Sequence, residues 1–230
     1  MSESFGLVEQ KILEADFFLK AFSNTKRLDY SANYYFSAFV SAARSVTFAL
    51  QANMNDVEGF LEWYEQARAK LRTDPLAPFF VEVRNDLVHT GKTSLNALPI
   101  NRLREILFSP DTKNHFMIFP NLNENEDGMV VNAVSASCAY FTSLVSLIYE
   151  CYETFKSIVD PQWYFTKKNF QSHGKSFDDA IQELGFPPGW ASCAPDEEMG
   201  WKIIRRQQPP CALNELFQEY LRKQIADPDR

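Results

Sequence analysis

The sequence predicts a mainly all-α fold: a four-helix-bundle core, a small β-hairpin insertion, and a helical and irregular C-terminal extension. Three observations predict it. Apolar residues recur three and four apart through long windows. The pattern weakens between 92 and 131, around a polar turn. Seven of the twelve prolines and three of the four tryptophans fall after residue 160. Two parts are therefore expected, a helical bundle over 1–160 and a Pro/Trp-rich extension over 161–230 packed on it.

Residues 5–22 form a first helix, with Leu7, Ile12, Ala15, Phe18 and Phe22 near helical spacing. Residues 31–53 form a second, opened by Ser31 as its N-cap. On it, Phe36, Val40, Ala43, Thr47 and Leu50 make one stripe and Phe39, Ala42, Val46 and Ala49 another. Arg44 is its only charge, which predicts burial on most sides. Residues 56–72 give a third helix with a charged face (Glu58, Glu62, Glu65, Arg68, Arg72), and Asp74-Pro75 breaks and restarts the chain. Residues 76–90 place Phe80, Val83 and Leu87 on one side and stop at Gly91, which suits a left-handed cap.

A short helix is expected over Asn101–Phe108. Strands are expected at His115–Phe119 and Met129–Val131, flanking the polar turn 121–128. Helical periodicity then returns as Val134, Cys138, Phe141, Val145, Ile148, Tyr152, Phe155 and Val159, the seam of a bundle helix. Asp160-Pro161 ends it. Beyond, 176–184 and 212–224 read as helices and the rest as packed loop. The expected core contains Phe36, Val40, Phe80, Val83, Leu87, Phe141, Val145 and Ile148.

With 45% hydrophobic and 14% aromatic residues, the chain can bury a sizeable core. Its formal charge of −7 argues against a general nucleic-acid binder, so any nucleic acid must meet a local basic patch. Residues 1–160 carry 14 Lys/Arg against 20 Asp/Glu, and 161–230 carry 9 against 10. Cys138, Cys151, Cys193 and Cys211 make no CxxC pair and no zinc spacing, so free thiols, no metal and no cofactor are expected. The N-terminus has neither a basic nor an apolar signal region. Gly128–Tyr149 is free of charge, but its serines, threonine and asparagine mark it as a buried core helix and not a membrane span. A soluble cytoplasmic protein with no membrane partner is the expectation.

The chemically informative segment runs from Phe79 to Gly91. Arg84 is followed at once by Asn85, and His89 comes four residues after that. An imidazole moves protons near neutral pH, and a guanidinium offers a planar fork to crowded phosphate oxygens. Together they suit RNA cleavage without metal, in which the 2′-hydroxyl attacks the adjacent phosphate and leaves a cyclic phosphate and a 5′-hydroxyl. Asn85 lies on the same helix face as His89 and can orient the ring or bind a phosphate oxygen. At about 100° per residue, positions five apart point roughly 140° away from each other, so one copy does not easily close on one phosphate.

The arginine, polar residue, three variable positions and histidine resemble the HEPN signature, carried on a helix of a four-helix bundle. The resemblance covers roughly residues 5–160. It implies a metal-independent endoribonuclease of defence or toxin type, with Arg84, Asn85 and His89 catalytic at a homodimer interface. RNA is its implied substrate, and an antitoxin or regulatory protein a possible partner. Toxins paired with nucleotidyltransferase antitoxins carry a tyrosine two places after the histidine; Gly91 stands there. The alternative is a non-catalytic module binding a nucleotide, RNA or a protein partner. Arg84 then lies along apolar neighbours at the bundle edge, and His89 complements the helix dipole.

Other features have two readings each. Arg44 either pairs with a core-edge carboxylate such as Asp16 or lines an active cleft. His115 and His173 are expected at structural or surface positions. Trp163–Phe170 (WYFTKKNF) and Trp201–Arg206 (WKIIRR) mix aromatics with cations, either as a base-stacking platform or as amphipathic packing.

Overall fold

A computed structural model describes residues 5–25, 30–91, 95–96, 116–119, 129–193 and 196–229. Within these the chain is mainly helical. It divides into two compact units, 4–144 and 145–230, and the division falls inside one long helix.

The first unit contains α1 (Phe5–Ser23), α2 (Tyr30–Met54), α3 (Phe60–Thr73), α4 (Leu76–Thr90) and the beginning of α5 (Ala133–Val159). Between α4 and α5 lie β1 (Leu95–Asn96), β2 (Phe116–Phe119) and β3 (Met129–Asn132), an antiparallel sheet in that order. Phe116 stands opposite Asn132 and Phe119 opposite Met129. The expected helix at 101–108, the turn 121–128 and His115 lie outside the described residues.

Both stripes of α2 are buried along their whole length, because a helix apolar on two adjacent faces must be covered on both. Its first turn starts at Tyr30, so Ser31 is a helical residue and not the N-cap. Aromatic rings then join the helices. Phe22 of α1 meets Phe36 of α2 at 5.3 Å, and Phe36 and Phe39 meet Phe80 of α4 at 6.4 and 6.2 Å. Phe80 stacks on Tyr140 of α5 at 4.6 Å, and Phe39 meets Phe141 at 6.2 Å. Phe80 is thus the hub, and burying such a side chain stabilises by about 1.5–3 kcal/mol. Of the expected core residues only Leu87 stays half-exposed.

Asp74 makes the α3–α4 corner. It C-caps α3, its Oδ1 accepts the Leu76 amide at 3.0 Å, and its Oδ2 accepts the Ser143 hydroxyl at 2.9 Å. Gly91 closes α4 at φ 67°, the left-handed conformation that costs glycine no Cβ clash.

The second unit takes the rest of α5, then α6 (Pro161–Tyr164), α7 (Lys167–Ser172), α8 (Phe177–Glu183), a 3-10 turn (Trp190–Cys193), α9 (Glu197–Arg206) and α10 (Asn214–Leu221). Its core gathers Phe165, Phe170, Phe177, Ala180, Ile181, Trp201 and Ile204. These helices are too short for periodicity to reveal, and several replace what the sequence presents as packed loop. Side-chain caps set their starts instead: Asp160, Thr166, Ser176 and Asp196 each accept a first-turn amide. Among the described helices α5 is long and apolar enough to cross a membrane, and half of its most apolar window is buried inside the protein.

Candidate functional site

Arg84, Asn85 and His89 sit on the last two turns of α4. Arg84 is half-buried as a residue, and its guanidinium donates through exposed atoms to Asn85 Oδ1 at 3.3 Å, so the arginine meets its own neighbour. Asn85 and His89 are exposed one turn apart, with Val88 53% exposed beside them. Among the described residues no hydrogen bond joins His89 to Arg84, in keeping with their angular separation on one helix. The motif is therefore open surface.

A cleft of about 530 Å³ opens elsewhere in the first unit, between α2, α3, α4 and α5. Arg44 reaches it from α2, and Arg68 and Arg72, one turn apart, reach it from α3. Glu82 contributes the opposing carboxylate. Three guanidinium groups against one carboxylate make this a basic spot on an acidic chain. Leu71, Ala77, Pro78 and Val81 supply an apolar wall, while Gln51 and Tyr64 supply a polar one.

Arg44 does not pair with Asp16, which is bridged to Lys20 at 2.8 Å. It donates to Thr47 Oγ1 at 3.0 Å and lies over the Phe48 ring at 4.1 Å. Packing against the ring holds the guanidinium in place, and no carboxylate among the described residues pairs with it. Arg68 bonds Glu65 at 3.1 Å through exposed atoms, a surface pair worth at most about 1 kcal/mol. Arg72 is exposed and has no hydrogen-bond or ion-pair partner among the described residues. Gln51 Nε2 donates to the Tyr64 hydroxyl at 2.6 Å. Burial pushes the Tyr140 phenol up to about 12, with Arg44 drawing it down and Asp74 raising it, so Tyr140 is a neutral hydrogen-bonding group near neutral pH.

Sequence reasoning offered a cleft role for Arg44 as one of two readings and missed its partners. The signal for Arg68 and Arg72 was their four-residue spacing, read only as a charged face. Among the described residues no three His, Cys, Asp or Glu side chains come together to hold a metal.

A model of the family described as bacteriophage lambda protein ea47 matches residues 31–148, just over half of the chain. The chain belongs to this family. The match takes in α2, α3, α4 and every residue of the arginine cleft. Neither a curated protein nor a solved structure matches the chain significantly.

Membership in the ea47 family overturns the HEPN resemblance. The arginine-to-histidine spacing carries little weight by itself. With three histidines and eleven arginines in 230 residues, it arises by chance in about one such chain in seven. Its helical setting added little, since a half-exposed α4 accepts polar residues at those positions for ordinary reasons.

Proposed function

We propose that this ea47-family protein binds a phosphate-bearing ligand, a nucleotide or a nucleotide unit of RNA, in the arginine cleft of its first unit. The convergence of Arg44, Arg68 and Arg72 on one cavity carries the reading. Guanidinium groups bind phosphate oxygens bidentately, and the wall formed by Leu71, Ala77, Pro78 and Val81 suits a base or sugar. Tyr64 and Gln51 offer hydrogen bonds to either. A four-helix-bundle arrangement of α1, α2, α4 and the start of α5 is part of the same proposal, with α3 adding Tyr64, Arg68 and Arg72 to the cleft.

Titration calorimetry with ATP and with a short single-stranded RNA tests this. Arg44→Gln and Arg72→Ala should each weaken binding about tenfold or more, as the loss of a charged hydrogen bond does. Unchanged affinity in both variants would remove the cleft from the account.

A second reading keeps metal-independent endoribonuclease activity, of defence or toxin type, at Arg84, Asn85 and His89. The exposed face shared by Asn85, Val88 and His89 favours it, because a second copy docked there would bring two motifs together. It predicts RNA cleavage that survives EDTA, leaves cyclic phosphate ends and disappears in His89→Ala. Removing a proton-transfer group commonly costs about 10²–10⁴-fold. Equal degradation by wild type and His89→Ala would assign any cutting to a contaminant.

A further inference from the structure

The two aromatic-cationic runs of the second unit, Trp163–Phe170 and Trp201–Arg206, come together around one cleft of about 790 Å³. Neither offers a free platform for a base. Lys156 covers the Trp163 ring at 4.1 Å, and Trp201 is only 2% exposed within the local core. Among the charged groups lining the cleft, Lys156, Lys167, Lys168, Lys202 and Arg205 outnumber Glu153, Glu198 and Asp229, and Lys156 is bridged to Glu153 at 3.9 Å.

Arg205 stands out among them. It lines the cleft at 9% exposure and its Nη2 donates to Asp229. Its Nε is buried and has no hydrogen-bond partner. A buried guanidinium group normally has its donors matched, and an unmatched one is costly. Lys168 and Lys202 line the same cleft without a hydrogen-bond or ion-pair partner among the described residues, while Lys167 is bridged to Glu197 at 3.2 Å.

We propose that this cleft is a second oxyanion site, for a phosphate group, and that Asp229 is its built-in competitor. A phosphate oxygen pair matches the Nε and Nη2 edge of arginine, whereas Asp229 engages Nη2 alone. An incoming phosphate takes both donors, releases Asp229 to water, and gains Lys168 and Lys202 as further partners. The proposal does not rest on the first-unit cleft.

The full chain is titrated with inorganic phosphate, with ATP and with a short single-stranded RNA, following heat and thermal stabilisation. Removing the competitor by Asp229→Asn should tighten binding several-fold. Arg205→Lys, which keeps the charge and loses the fork, should weaken it at least tenfold. Lys168→Ala with Lys202→Ala, changes outside the local core, should also weaken it and serve if Arg205→Lys fails to fold. Arg44→Gln leaves this site unchanged, which separates it from the first-unit reading. A gain in Asp229→Asn for all three ligands identifies free phosphate as sufficient; a gain only for ATP or RNA identifies a phosphate carried on a nucleotide. Identical binding by wild type, Asp229→Asn and the double lysine variant, or no binding at all, overturns the proposal.

Discussion

Arg84 and Arg44 belong to the same unit, yet one lies on open surface and the other lines a cavity. Arg84 sits on the outer part of α4 and gives a hydrogen bond to the next residue, and none among the described residues to His89. Arg44 is propped on the Phe48 ring, facing a cavity that two arginines of another helix also reach. Spacing along one helix placed the first pair of residues in sequence. Convergence between helices makes the second set a site. Short-range motifs deserve less weight than the packing that decides which helix faces meet.

The largest effect should come from the core that fixes the cleft. Phe80→Ala removes the ring that joins α2 to α5 and is expected to cost about 3–5 kcal/mol in urea unfolding. On the outer face of the same helix, His89→Ala should stay within about 0.5 kcal/mol of wild type. A cost for His89→Ala near that of Phe80→Ala would mean the motif is buried in solution and the comparison is wrong.

Smaller effects probe the second unit, where caps replace long helices. Asp160 is 2% exposed, and its Oδ1 accepts the amides of Gln162 and Trp163 at 2.8 and 3.2 Å. Asp160→Ala should cost about 1 kcal/mol. Burial raises the Asp160 carboxyl above its ordinary 3.8, against the pull of the two amides and Lys156. Its folded pKa therefore exceeds the unfolded one, and stability falls as pH rises through 3.8 toward the folded value. Asp160→Asn keeps the cap and removes this slope, so it should equal or exceed wild type at neutral pH. A loss as large as that of Asp160→Ala would show that the charge itself stabilises.

The smallest expected effect concerns α8. The backbone amide and hydroxyl of Ser176 hold the Asp179 carboxylate below its ordinary 3.8. The sign is opposite to that of Asp160. Stability from this capping box is present above 3.8 and is lost as pH falls through the folded pKa. Asp179→Ala should abolish that acid-side loss in unfolding curves, and an unchanged pH profile would remove the box from the account.

Much of the fold was legible because long helices write their burial into sequence. Every residue in the two stripes of α2 is buried, and the seam of α5 is buried from Phe141 to Val159. The second unit was less legible. Its α9 is N-capped by Asp196, begins with Glu197 and Glu198, and ends with Arg205 and Arg206, an arrangement that complements the helix dipole, yet it spans too few turns for periodicity. The first-unit cleft was hardest to see. Arg44 and Arg68 lie on different helices, and only the meeting of α2, α3 and α4 places them together. Arg84 and His89 drew attention because they are close in sequence, which is no measure of closeness in space.

The salt dependence of RNA binding tests the cleft most directly. Each phosphate contact on a single strand contributes about −0.7 to the slope of log affinity against log salt. Wild type and Arg84→Ala should share one slope, while the Arg44→Gln, Arg72→Ala double variant should be flatter by about 1.4. A flattened slope in Arg84→Ala, with the double variant matching wild type, would place the phosphate contacts on α4 and contradict the account.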